Sequence, residues 1–430
     1  MSGRPFYLPV NIKGLSRMTL IRPFKGLRPS SGKATEVAAP PYDVMSYREA
    51  VSLAEGKPNS FLHISRPEID LPEGTDPYSS EVYEKASSNL KALLEEGVLA
   101  RDDEASFYVY RLTGHGVSQS GLVVTASVDA YDENLIRKHE FTRPIKEDDR
   151  VRQIDTLAAQ TGPVLLAYPS SNLIDSIIAS ESRGAPEMDV LAVDGVRHEV
   201  WTISSADKLA QLVSLFDDLP AVYIADGHHR SAAASRVKKL MADRDQDQSS
   251  GQKSYDYFLA VAFPQDQMQI LAYNRVVTDL NGLSPNGFLG FLKKDFEVHL
   301  SKEPVIPEEK GQMGVYLDGH WYILLVRATP MSEDPVENLD VSILSNRVLA
   351  PILGIHDLRK DRRIDFVGGI KGTRELMNRV DSNEMACAFS LFPTKIEELM
   401  RVADGGQVMP PKSTWFEPKL ADGLVSHVLD

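Results

Sequence analysis

Along most of the 430 residues, short apolar runs rich in β-branched and aromatic side chains alternate with amphipathic stretches, and Gly, Pro, Asp and Asn punctuate them. The sharpest junction is Val222 to Ala234. An apolar run ends at Asp226-Gly227 and passes at once into an Ala-rich segment, which predicts a buried strand, a tight turn and a helix start. Apolar positions at Val82, Leu90, Leu93 and Leu94 predict a helix over Pro77 to Leu94, and the runs Ala105 to Leu112 and Gly121 to Val128 predict a hairpin. Asn59 to Ile64 reads as a strand. Leu135 to Pro144 reads as a strand leaving the core, with a helix opening at Lys146 and continuing through Val151, Ile154 and Leu157.

Downstream, Gly162 to Tyr168 predicts a buried strand. Helices follow near Leu173 to Ser180 and Leu209 to Leu215, with short strands between Ala185 and Ile203. Ala242 to Ser254, rich in Asp, Gln and Ser, reads as a solvated connection. Strands are expected at Tyr257 to Phe263, Gln269 to Val277, Gly314 to Leu317 and Trp321 to Val326, and helices near Gly287 to Phe296 and Leu339 to Val348.

Strands alternating with helices define an α/β or α+β protein. The length is too great for one core, so several units are expected: an arm at 1–17, an N-terminal α+β domain at 18–130, a phosphate-binding core at 131–245 and a C-terminal α+β domain at 255–430. The first 17 residues carry Arg4, Lys13 and Arg17 without an acid and lack the apolar segment of a secretory signal, so a flexible arm is expected there.

Net charge narrows the function. At −14, the chain lacks the basic surface that non-specific nucleic-acid binding needs. No run approaches the roughly 18 apolar residues of a membrane span. The single Cys387, set in an apolar run, excludes an internal disulfide framework and a four-Cys zinc site, and fits a core position in a cytoplasmic protein.

The strand–turn–helix junction carries the chemistry. A helix N-terminus offers unpaired N–H groups and the positive end of the macrodipole, and Gly227 lets an anion approach the backbone. Arg230 could fork phosphate oxygens, while His228, His229 and Ser231 add donors. Asp226 at the strand end could hold Mg²⁺. A metal site on His228 and His229 together is disfavoured, because adjacent residues on one turn rarely face one ion and HExxH spacing is absent. Glu147, Asp148 and Asp149 complement a helix dipole, an explanation Glu140 lacks. Arg22, Lys25, Arg28 and Asp43 in Pro-rich loops, and the basic cluster Arg359, Lys360, Arg362 and Arg363, are further site candidates. Lys412-Ser413-Thr414 lacks the glycines of a Walker site.

The Asp226-Gly227-His228-His229-Arg230 box resembles the Gly-x-His-Arg box of ParB proteins, sulfiredoxins and free-serine kinases, with His229 departing from the kinase version. The phrases RPFKGLRP, VAAPPYDVM, HEFTRPIKEDDR, ADGHHRSAAA, RIDFVGG and PPKSTWF resemble a large prokaryotic family known as a domain of unknown function (ten-fifteen), from about Met18 to the C-terminus. The resemblance implies a ParB/sulfiredoxin-like mixed α/β core with additional mixed-sheet domains. It further implies ATP or ADP held at Gly227, His228, His229, Arg230 and Ser231, Mg²⁺ on Asp226, and a catalytic set of Glu140, Asp226 and His228. Glu140 corresponds to the catalytic carboxylate in the kinases' His-Glu step. The expected activity is phosphoryl transfer to a small hydroxylated metabolite such as L-serine, with a homodimer as the expected assembly; the alternative is a non-catalytic, ParB-like nucleotide-binding regulator.

Overall fold

The computed structural model describes residues 19–245, 253–327 and 332–430. The arm at 1–17 and the stretch 246–252 of the solvated connection lie outside the described residues; before that stretch, the helix begun at His228 runs on to Arg244.

The fold is mixed α/β. Its centre is a nine-stranded sheet in the order Ile136–Arg137, Val222–Asp226, Val164–Tyr168, Tyr257–Pro264, Val117–Ser127, Phe107–Gly114, Arg197–Ile203 and Met188–Leu191, with Ile21–Arg22 also paired to Val117–Ser127. Most neighbours are antiparallel. Val222–Asp226 runs parallel to Ile136–Arg137, and Tyr257–Pro264 runs parallel to Val164–Tyr168. This sheet takes strands from both sides of the expected 130/131 and 245/255 boundaries, so neither boundary separates two sheets.

Alternation along the strands builds two cores. Phe107, Val109, Leu122, Val124, Leu166 and Ile224 face one side, where the helices Asn172–Glu181 and Ala206–Asp217 contribute Ile174, Ile178, Leu212 and Phe216. Tyr108, Tyr110, Val123, Leu165, Tyr223 and Val261 face the other and join a core shared with the C-terminal region. That region holds a six-stranded antiparallel sheet ordered Phe296–Ser301, His320–Val326, Gln312–Leu317, Cys387–Leu391, Tyr273–Val277 and Ile364–Gly368. Cys387 is fully buried within it.

The last residues of the chain return to its beginning. Ser426–Val428 pairs with both Gly26–Pro29 and Ala159–Gln160, while Asp422 and Ala39 exchange backbone hydrogen bonds of 2.8 and 3.1 Å. This return carries residues 412–422 past the end of the Val222–Asp226 strand. Among the described residues no helix is long and apolar enough to cross a membrane.

Three local expectations differ. The strand expected at Gln269 to Val277 splits into Gln269–Leu271, paired with Trp415–Glu417, and Tyr273–Val277 in the six-stranded sheet. Asn59 to Ile64 is not a strand: Leu62–Ser65 is a helical turn, whose Phe61, Leu62 and Ile64 are buried together in a separate helical cluster. A short run with several apolar residues suits either state, and tertiary packing decides. Leu135 to Pro144 contributes only Ile136–Arg137 to the sheet, and Pro144 then opens the helix Pro144–Leu157 from its first turn.

Candidate functional site

Gly227 caps the helix His228–Arg244 with φ of 96°, in the left-handed region. A Cβ there would stand 3.0 Å from Arg230 Nε and 3.3 Å from Val164 Cα, so the position is closed to larger residues on two counts. Its carbonyl accepts the amides of Arg230 and Ser231 at 2.9 and 3.1 Å. The amides of His228 and His229 therefore precede the first helical hydrogen bond, at the positive end of the helix.

Asp226 stands at this turn. Its Oδ1 accepts the Gly227 amide at 2.8 Å, and its Oδ2 lies 3.3 Å from Lys419 Nζ. Burial works against the charge, but Lys419 and Arg230 outweigh it and hold the carboxyl well below the usual carboxylate range. Glu140 goes the other way. Burial raises its carboxyl, Lys412 opposes the rise and the charge of Asp226 adds to it. Two carboxylates in one electrostatic neighbourhood thus have their affinities for a proton pushed apart.

Three imidazoles surround them. His139 and His228, 2% and 5% exposed, meet with Nε2 atoms 3.3 Å apart and rings nearly perpendicular. Burial drives both toward the neutral form, His139 down to about 4. His229 turns away from this pair and accepts the Arg143 amide at 3.0 Å. Adjacent histidines on one turn do point apart, as the spacing argument holds, but His139 arrives from a distant segment. Ligand atoms of His139, Glu140 and His228 all lie within 4.8 Å of one another, a cluster that spacing around residue 228 alone cannot reveal.

Arg230 and Ser231 are placed differently from a phosphate cradle. The guanidinium, 12% exposed, donates to the Pro163 carbonyl and is surrounded by Asp43, Asp226, Tyr42 and Asp422, whose charges hold it protonated against burial. Ser231 is fully buried, with its hydroxyl 3.1 Å from the His228 carbonyl. Arg230 therefore braces the turn from below, and Ser231 belongs to the helix.

A cleft of about 760 Å³ opens beside Glu140, His229 and Lys412, while Asp226 and Lys419 line a separate, much smaller pocket together with Arg230. Glu140, Arg143 and His229 line the cleft on the side of the large sheet, and Ser345, His356, Arg359 and Lys412 on the C-terminal side. Of the basic cluster, Arg359 lines this cleft, whereas Arg363 is spent on Asp361 and the Leu353 and Gly354 carbonyls. From the Pro-rich loops, Asp43 reaches the Arg230 side. The others stay away: Arg28 pairs with Asp102 and Glu187, Arg22 lies over the Tyr257 ring and Lys25 is exposed.

Lys412 and Lys419 were not among the residues that sequence reasoning assigned to the site. Burial disfavours the charge of Lys412, but Tyr273, Glu140 and Asp226 hold it protonated. Its sequence signal was the PPKSTWF phrase, whose lysine fits no phosphate-binding spacing.

The chain belongs to the DUF1015 family, described as a protein of unknown function, whose model matches residues 21–342. No curated protein matches the sequence. Among solved structures, similar chains include a free serine kinase in complex with AMP (14% identity, 70% of this chain and 92% of that one, TM-score 0.34). A conserved hypothetical protein from Pyrococcus furiosus is similar at 14% identity over 70% and 94% of the two chains, with TM-score 0.34. SbnI from Staphylococcus aureus, truncated at its C-terminus, is similar at 12% identity over 70% and 86%, with TM-score 0.36.

Proposed function

We propose that the protein is a nucleotide-dependent phosphotransferase acting on a small hydroxylated metabolite, with ATP or ADP as donor. The observation that carries this reading is the divided pair of carboxylates: Asp226 held ionised at a helix N-terminus, and Glu140 raised by burial beside it. Groups whose proton affinities are pushed apart at one place mark acid–base assignments.

In this reading the first-turn amides, His229 and Lys419 receive the phosphates, and Lys412 neutralises charge developing near the acceptor. Asp226 fits Mg²⁺ as an ionised carboxylate with lone pairs left on both oxygens. Bound there, the ion would supply charge neutralisation to the phosphates. Glu140 takes the proton of the acceptor hydroxyl, and its raised affinity for a proton suits that task. The cleft accommodates a small hydroxylated amino acid such as L-serine and larger alcohols as well. A cytoplasmic, homodimeric protein is part of the same proposal.

A regulatory nucleotide binder without chemistry is the second reading, favoured by the engagement of Arg230 with internal carboxylates. A turnover screen of ATP and ADP with Mg²⁺ against serine, homoserine and glycerate separates the two. Phosphorylated product supports the first reading, and nucleotide binding without product the second.

A further inference from the structure

The His139–His228 contact is poorly explained as a hydrogen bond. A separation of 3.3 Å lies beyond the usual 2.7–3.2 Å range for an N–H donor, and the rings stand at 87°. It matches something else. Two imidazole nitrogens at roughly 2.05 Å from a tetrahedral ion stand about 3.3 Å apart. Ligand atoms of Glu140, His139 and His228 all lie within 4.8 Å of one another, and the Glu140 side chain borders the cleft, so an ion there would have an open side.

The surroundings fit a ligand set. His139 Nδ1 is buried beside the Ile224 backbone without reaching a well-formed hydrogen bond. With Nε2 on a metal, the ring proton resides on Nδ1 and can be donated to that backbone, the usual outer partner of a ligating histidine.

We propose that His139, Glu140 and His228 form a binding site for a divalent first-row transition ion of the Zn²⁺ class. Two nitrogens and one oxygen select such an ion over Mg²⁺, which prefers oxygen ligands, so the site is chemically distinct from the role given to Asp226. An alcohol or water on the open side would be a stronger acid than in solution, and a singly coordinated Glu140 keeps a second oxygen for its proton.

The test is calorimetric titration of Zn²⁺ into the chelator-stripped full chain, without nucleotide, repeated with Co²⁺ for its visible spectrum. One equivalent is expected to bind, with Co²⁺ giving a nitrogen-ligated spectrum. His139→Gln and His228→Gln are each expected to weaken binding more than about 100-fold, beyond the roughly 10–100-fold cost of losing an outer partner. If these buried variants do not fold, Glu140→Gln, at the cleft, gives the same readout. No stoichiometric binding by the wild type, unchanged affinity in the folded ligand variants, or loss only on Asp226→Asn would each overturn the site. Since no nucleotide is present, a protein that binds Zn²⁺ here but transfers no phosphate defeats the proposed activity and leaves this inference standing.

Discussion

Lys419 Nζ lies 3.3 Å from Asp226 Oδ2 across 193 positions of sequence, so the C-terminal return of the chain supplies a cation to the mouth of the strand–turn–helix junction. An ammonium group has three donors, and the contact with Asp226 uses one. Lys419→Met is expected to weaken Mg·nucleotide binding roughly tenfold or more, the worth of a hydrogen bond to a charged group. Calorimetry on the folded variant checks this; unchanged affinity would reduce Lys419 to a strut for Asp226.

Arg230 is expected to matter first for stability. Removing it leaves Asp43, Asp226 and Asp422 without their shared buried cation. Arg230→Ala should cost about 3–5 kcal/mol in denaturant unfolding, the range for breaking a buried ion pair. Arg230→Lys should recover only part of it, because a point charge cannot reproduce the fork. A loss below about 1 kcal/mol, the range of an exposed pair, would return Arg230 to a ligand-facing role.

Asp422 gives the stability a pH dependence. Burial is the main cause that raises its carboxyl to about 7; Arg230 and Arg150 oppose the rise and Asp43 adds to it. The unfolded chain releases this proton near pH 4, so between about pH 4 and 7 the folded state binds more protons. The contribution is therefore present at low pH and is lost as pH rises through that window, by an amount of order 4 kcal/mol. Asp422→Asn should flatten this fall and be the more stable protein at pH 8. Parallel stability curves for the two proteins across pH 4–8 would contradict the assignment.

The strand Val222–Asp226, its glycine turn and the following helix were legible because periodicity changes abruptly at Asp226-Gly227, and the His-Glu step drew attention to Glu140 through resemblance. Arg230 was legible as a residue but not as a brace. Nothing local tells that Asp43 and Asp422 converge on it from opposite ends of the chain. Lys412 and Lys419 escaped because the pairing of Ser426–Val428 with Gly26–Pro29 and Ala159–Gln160 is a long-range event, and the His139–His228 contact because it follows from the pairing of Ile136–Arg137 with Val222–Asp226, about 85 positions apart. The large sheet crosses the 130/131 position because Val117–Ser127 pairs with Tyr257–Pro264, well beyond any window of periodicity.

The central claim is that Asp226 serves the phosphates and Glu140 the acceptor, and calorimetric titration of Mg·ATP and Mg·ADP tests it most directly when run on three proteins together. The wild type and Glu140→Gln are expected to bind one of these nucleotides with nearly equal affinity, while Asp226→Asn binds it at least tenfold more weakly and loses its Mg²⁺ dependence. Turnover in Glu140→Gln should meanwhile fall by roughly 10²–10⁴-fold, the usual worth of a general base. If neither nucleotide binds the folded wild type, or Asp226→Asn binds as well as the wild type at every Mg²⁺ concentration, the account is contradicted.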